Sequence, residues 1–277
     1  MIQDKPQRFG LIAGEGEAPL IVAKEASQEG IAVVVFAFEK ITSPQIEKFA
    51  SKIYWLKFGH FEKLISLFKE NNLKHLIMIG RIQHRLIFHI SLFDRKTRSI
   101  LSHLFSKEAK SVLNTIVQEF EKENITVLDS SLFLKECIPL PGLLTPNRPL
   151  TEQEKKNIEF GFPIAKKIAE LEIGQTIAVK DCVVIAVEGI EGTNRLIERA
   201  GALAGSGLTI IKVSRPNQDK RFDLPVVGRT TIEKLYKAKC TALAISAGET
   251  VFLDREESVR YAEKHNISIV SFESPTL

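Results

Sequence analysis

The residue types best suited to chemistry are concentrated in Ser214-Arg215-Pro216-Asn217-Gln218-Asp219-Lys220-Arg221-Phe222-Asp223-Leu224-Pro225, with Lys212 just before it. An apolar run, Leu208 to Val213, precedes the stretch, and two prolines bound it, so it should be a long constrained loop leaving a buried strand. Hydrolysis of a phosphoanhydride needs such a mixture: carboxylates hold a divalent ion or orient water while cations bear the phosphate charge. Charged loops are also commonly solvated and self-paired, and composition leaves both readings open.

Three further turns fall where a strand should lead into a helix. Gly14-Glu15-Gly16-Glu17-Ala18-Pro19 approximates G-x-G-x-x-G. At the carboxyl end of a sheet, such a loop can turn backbone N–H groups and a helix dipole toward a phosphate. Pro19 replaces the third glycine, which the first turn of a helix tolerates, and Glu15 and Glu17 would repel a pyrophosphate. NAD is disfavoured, leaving a sugar, a base, a metal-bridged phosphate or a turn that binds nothing. Gly80-Arg81 offers a guanidinium that can clamp a phosphate or a uridine carbonyl, or simply open a helix. Glu188-Gly189-Ile190-Glu191-Gly192-Thr193 can hold a metal or a ribose, or be a solvated turn in which Thr193 caps the next helix. The six histidines include no H-E-x-x-H, and His84 and His89 in an amphipathic stretch do not make a metal site. No P-loop and no G-x-S-x-G elbow occurs.

The elements that must position these residues follow a strand–helix alternation. Arg8 to Ala13, Ile31 to Phe38, Ile53 to Leu56 and His75 to Ile79 read as buried strands, with helices over Leu20 to Glu29 and Phe61 to Asn71. Continuous apolar strands between helices predict a parallel sheet covered on both faces, a doubly wound α/β domain. Arg81 to Asn124 reads as helical, and Ile125 to Leu128 closes the sheet. Within it, His84 to Phe105 is both basic and apolar, which fits core packing beneath a solvated face, contact with acidic lipid, or a groove for acyl chains. Breakers cluster over Leu134 to Leu150, taken as a linker, and Thr151 with Glu154 has capping-box spacing for a new helix. Beyond it, strands at Thr176 to Val179, Val183 to Val187, Leu208 to Val213, Ala242 to Ser246, Val251 to Leu253 and Ile267 to Ser271 alternate with helices. This predicts a second α/β domain with a mixed sheet.

Composition sets the outer bounds. The 277 residues suggest about two domains at ~150 residues each. Hydrophobic residues at 44% and charged residues at 26% exclude a disordered, collagen-like or disulfide-scaffold chain. The net charge of +4 is too weak to argue for nucleic acid. No uncharged apolar run approaches the ~18 residues of a membrane span, and the first residues lack the apolar core of a signal peptide. Three scattered cysteines without CxxC spacing predict a cytoplasmic protein with reduced thiols. A homodimer is the default expectation.

GLIAGEGEAPLIVAKEA, MIGRI, VKDCVVIAVEGIEGTNRLIERAGAL and KVSRPNQDKRFDLPVVG, in that order along nearly the whole chain, resemble the UDP-2,3-diacylglucosamine diphosphatases of the LpxI type. The resemblance implies an N-terminal Rossmann-like domain (1–133), a linker (134–150) and a C-terminal α/β catalytic domain (151–277), with the lipid held between the two domains. It implies Mg2+-dependent hydrolysis of UDP-2,3-diacylglucosamine to UMP and 2,3-diacylglucosamine 1-phosphate in lipid A synthesis, at the cytoplasmic face of the inner membrane. Carried onto this chain, it makes Asp223 and Asp219 the catalytic and metal-binding candidates, with Glu191 in the metal shell. Gly14, Glu15, Gly16, Arg81, Thr193, Lys212, Gln218 and Arg221 become the substrate-binding candidates. The family often has a G-D-D-like turn where this chain has Ser106-Lys107-Glu108-Ala109-Lys110, which implies a different handling of that step. The alternatives are a UDP-lipid- or nucleotide-binding protein without turnover and a nicotinamide-dependent oxidoreductase, the latter opposed by Pro19 and the two loop glutamates.

Overall fold

The computed structural model describes residues 5–82, 93–102, 109–216 and 218–273. His84, His89, Asn217, most of the basic apolar stretch and residues 106–108 of the departing turn lie outside the described residues. The chain forms two compact units. One comprises residues 1–135 with Lys220–Asp223, and the other comprises Glu136–Asp219 with Leu224–Leu277.

In the first unit the elements run β1 (Arg8–Ala13), α1 (Ala18–Gln28), β2 (Ala32–Phe38), β3 (Lys52–Leu56), α2 (Phe61–Glu70), β4 (His75–Ile79), α3 (Arg95–Ser102), α4 (Ala109–Lys122) and β5 (Thr126–Val127). The five strands lie in the order β3-β2-β1-β4-β5 and every pairing is parallel. This is the doubly wound sheet that the unbroken apolar strands predict. In AVVVFAF of β2 every residue after Ala32 is buried, as a strand covered on both faces requires. Phe36 stacks on Phe68 of α2 at 4.5 Å, both fully buried, and each ring contributes about 2–3 kcal/mol by leaving water.

The reading of Arg81 to Asn124 as one helical segment needs correction. Arg81 is in an isolated antiparallel bridge with Glu15, and α3 begins only at Arg95. Two backbone hydrogen bonds with Glu15 hold Arg81 extended. Asp94 sets the later start: its Oδ1 accepts from the Thr97 N–H (2.8 Å), capping α3, while Oδ2 accepts from the Glu62 N–H (2.8 Å) in the first turn of α2.

The second unit contains β6 (Gly142–Leu143), α5 (Glu152–Glu170), β7 (Thr176–Lys180), β8 (Val183–Val187), α6 (Thr193–Ala204), β9 (Leu208–Lys212), β10 (Val226–Val227), α7 (Arg229–Lys237), β11 (Cys240–Ser246), β12 (Val251–Phe252), α8 (Arg255–Lys264) and β13 (Ser268–Phe272). Six strands form a mixed sheet in the order β6-β13-β11-β9-β7-β8, and β10 pairs with β12 in parallel. The breaker-rich stretch over 134–150 supplies β6, which pairs antiparallel with β13. Two separate apolar clusters cover the sheet, one around Leu196, Ile210 and Leu243 and one around Phe162, Ile177 and Ile211. Asp181 and Cys182, both with positive φ (50° and 58°), make the two-residue turn between β7 and β8.

The Thr151–Glu154 capping box is present with both of its reciprocal bonds. Glu154 is also gripped by Arg148 through two bonds of 2.5 and 2.8 Å and is buried. Burial is the largest influence on its pKa and pushes it up. The bonds from Arg148, the Thr151 backbone and Thr241 together outweigh burial and hold the carboxyl below its usual range.

Candidate functional site

Beyond the carboxyl ends of β1, β2 and β4, the first unit contains a cavity of about 210 Å3. It lies at the point where strand order reverses between β1 and β4, the position at which open α/β sheets hold ligands. Its wall is mostly hydrocarbon, with Phe38, Phe58, Met78, Ile100, Leu113 and Phe222 contributing. Phe58 meets Phe38 and Phe93 edge-on at 5.5 and 6.0 Å. Phe93 and Ile100 come from the stretch whose mixture of charge and apolar residues suggested an acyl groove. An apolar void of this kind gains contacts only from an apolar guest.

Gly14 and Gly80 form one edge of this cavity, and their backbones nearly touch. A Cβ on Gly14 would lie 2.6 Å from the Gly80 carbonyl carbon, so close approach explains glycine at position 14. Gly16 needs glycine for a different reason, its φ of +105°. Glu15 does not face a ligand alone. Its carboxylate pairs with Arg81 at 3.1 and 3.3 Å, and their backbones exchange two 2.9 Å hydrogen bonds. Two candidates far apart in sequence are thus joined, each partly neutralising the other.

In the second unit the polar groups gather at one end of the sheet, past the last residues of β8, β9 and β11. Lys212 Nζ donates to Thr193 Oγ1 (3.1 Å) and to the Val226 carbonyl (3.0 Å). Thr193 Oγ1 donates in turn to Glu188 Oε1 at 2.9 Å, and the Thr176 hydroxyl lies 3.3 Å from it. Glu188 is buried, so Thr193 serves a carboxylate and an ammonium at once. The capping alternative for Thr193 does not hold: Gly192, with φ of 80°, is the N-cap of α6 and makes no side-chain cap. Glu191 points elsewhere. Its carboxylate accepts from Arg199 (2.7 Å) and from the Gly189 N–H (3.0 Å), and the Arg199 bond, first among the causes, holds it below the usual carboxylate range.

The charged loop leaves β9 through Ser214, which is buried. Ser214 accepts from Lys166 Nζ (2.9 Å), donates to Glu249, and its N–H bonds Ser246 Oγ (3.1 Å). Gln218 Oε1 accepts from the Arg215 N–H at 2.9 Å, while its buried Nε2 has no partner among the described residues. Residues 220–223 pack with the first unit. There the Lys220 carbonyl accepts from both the N–H (2.9 Å) and the Oγ (2.8 Å) of Ser130, and Arg221 pairs with Glu121 at 2.9 Å. Asp219 and Asp223 are both half-buried.

Among the described residues, no group of three or more His, Cys, Asp or Glu is arranged to hold a metal. Mg2+ is ordinarily bound by one or two carboxylates together with substrate phosphates. Asp219 and Asp223, hard oxygen donors in one loop, fit that chemistry, whereas the two Glu191 oxygens accept from Arg199 and from the Gly189 N–H. Sequence reasoning included Ser214 in the charged stretch but missed its partners Lys166 and Glu249, and it missed Glu188 as the carboxylate linked to Lys212 through Thr193. The glutamate spacing in the turn was visible; which glutamate faces inward depends on the turn's path.

These features define a two-unit α/β protein with an apolar cavity at a sheet switch point and a charged network in its second unit. Residues 8–137 match the LpxI N-terminal domain and residues 141–270 match the LpxI C-terminal domain, so the chain belongs to the LpxI family. It is 26% identical over 268 residues to the UDP-2,3-diacylglucosamine pyrophosphatase LpxI of Caulobacter vibrioides, covering 93% of this chain and 94% of that protein. Likeness to solved structures is loose. Phosphoribosylglycinamide synthetase from Anaerococcus prevotii gives a TM-score of 0.26 at 13% identity, over 69% of this chain and 34% of that one. The biotin carboxylase domain of Hydrogenobacter thermophilus 2-oxoglutarate carboxylase gives 0.28 at 15%, over 72% and 41%. No functional argument follows from scores this low. Among the described residues, no helix is long and apolar enough to cross a membrane.

Proposed function

We propose that the protein hydrolyses the pyrophosphate of UDP-2,3-diacylglucosamine, releasing UMP and 2,3-diacylglucosamine 1-phosphate, in lipid A biosynthesis at the cytoplasmic face of the inner membrane. The observation that carries this reading is the apolar cavity of the first unit, whose hydrocarbon wall suits an acyl chain and offers little to a nicotinamide. Family membership and the activity printed in the name of the Caulobacter relative support the same substrate.

In this reading Lys212, held by Thr193 and the Val226 carbonyl, bears phosphate charge. Gln218, with an unpartnered amide nitrogen, and Arg221 add donors to phosphate oxygens. Asp223 and Asp219 would hold Mg2+, which when bound would supply charge neutralisation to the pyrophosphate. A carboxylate of the loop orients water for direct attack on one phosphorus. The water's P–O bond forms as the anhydride P–O bond breaks; the bridging oxygen departs with the other phosphate as an anion, and the water's proton passes to solvent, with no covalent enzyme intermediate.

The test is UMP release from UDP-2,3-diacylglucosamine by the purified protein, with Mg2+ and with EDTA, beside Asp223→Ala. Release that EDTA stops and the variant slows by roughly 100-fold or more is expected. Substrate binding without release would turn the reading toward a binding protein, and equal activity in the variant would remove Asp223 from the chemistry.

A further inference from the structure

Phe222 belongs at once to the charged loop and to the apolar cavity. Its ring lines the cavity and packs against the first unit's core, and Asp223 is the next residue. The segment is fixed to the first unit upstream by the paired Ser130 bonds to the Lys220 carbonyl and by Arg221 with Glu121. Between these anchors and Asp223, the Phe222 ring is the apolar contact that a guest in the cavity would touch. An acyl chain filling the void gives that ring contacts it otherwise lacks and narrows its rotamers. The Cα that bears the ring and the Asp223 amide lie in one planar peptide unit, so a guest that fixes where Phe222 sits also fixes where the Asp223 backbone starts.

We infer that Phe222 is a positioning residue: acyl occupancy of the cavity, read through its ring, sets the placement of Asp223 and so makes turnover depend on acyl-chain length. This rests on the hydrolase reading above and names its specificity element. A ligand shifts a loop only by differential affinity for its arrangements, and a ring in direct contact with the guest supplies that difference. A residue that merely walled the cavity would change binding and leave the chemical step alone.

Two measurements decide it. In the first, kcat and KM for UMP release are compared for the wild type, Phe222→Ala and Phe222→Leu across UDP-diacylglucosamines of graded chain length. Phe222→Ala is expected to lower kcat about tenfold or more on the long-chain substrate and to flatten the dependence on chain length, with Phe222→Leu recovering most of the loss. A change confined to KM, or the same length dependence in Phe222→Ala, overturns the proposal. In the second, limited trypsin cleavage after Lys220 and Arg221 is followed with and without laurate, which needs no turnover. Laurate should protect the wild type and leave Phe222→Ala cleaved as before; equal protection of both, or of neither, overturns the proposal. If the wild type releases no UMP, the hydrolase reading fails, and the protease comparison still decides whether the cavity acts on the loop.

Discussion

The two units finish their sheets in opposite ways. In the first, the void at the ends of β1, β2 and β4 is lined by glycines and large apolar side chains. In the second, Glu188 follows β8, Lys212 and Ser246 end β9 and β11, and Ser214 lies just beyond β9; Glu188 and Lys212 meet through Thr193, and Ser214 bonds Ser246. The layering is α/β in both. Which ligand chemistry each end can accept is therefore set by the few residues after the strands rather than by the sheet itself. The hydrolase reading uses that contrast, assigning hydrocarbon to one end and charge to the other.

The largest expected effect tests the polar end. Lys212→Met removes the ammonium joined to Glu188 through Thr193 and should lower kcat/KM for UMP release roughly 100-fold or more. Because phosphate charge is common to every UDP-sugar, the factor should not depend on acyl length. Leu113→Phe, which narrows the cavity, should instead shift preference toward shorter chains and raise KM for long ones. Steady-state kinetics over a chain-length series separates the two. Should both variants lose the same factor at every length, the division of labour is broken.

How far the sequence foretold this differs between the same two regions. The strands were legible because VVVFAF and its neighbours are uninterrupted apolar runs, a signal that tertiary packing only reinforces. The capping box was legible because both of its partners lie within one turn. The bridge between Glu15 and Arg81 was not, since it joins residues |i−j|=66 apart and neither local pattern mentions the other. The inward choice of Glu188 over Glu191 depends on the left-handed Gly192 and on an arginine in the following helix. Phe222 as a cavity wall needed the association of residues 220–223 with the first unit, which no periodicity encodes.

A second prediction tests whether the units are separable in stability. Glu154→Gln leaves the buried Arg148 guanidinium without its charged partner and should destabilise the second unit by about 3 kcal/mol near neutral pH. The sign with pH follows from the lowered carboxyl pKa. A group held below its usual value stabilises the fold above that value, and the contribution is lost as pH falls through the folded pKa. The gap between the wild type and the variant should therefore be full near neutral pH and shrink as pH falls below the ordinary carboxylate range. The chain's one tryptophan, Trp55, lies in β3 of the first unit. Its urea transition should stay in place while the far-UV circular dichroism gains an earlier step. A single shared transition that moves as one would show that the contrast between the units does not extend to their folding.

The smallest effect concerns an ion pair bordering the apolar end. Glu15 and Arg81 have side chains 37% and 68% exposed, so removing either changes stability by less than about 1 kcal/mol, measured by thermal melting. The loop should survive the loss, because the two backbone bonds of the bridge do not involve the side chains. What separates the residues is kinetics. If Arg81 grips a substrate phosphate, Arg81→Gln raises KM roughly tenfold, the worth of one charge-assisted hydrogen bond. Glu15→Gln should then leave KM unchanged or lower it, because it releases the guanidinium from its carboxylate. Were both variants kinetically silent, the Gly14 loop would be a tight turn that serves packing against Gly80 and brings no charge to the phosphates.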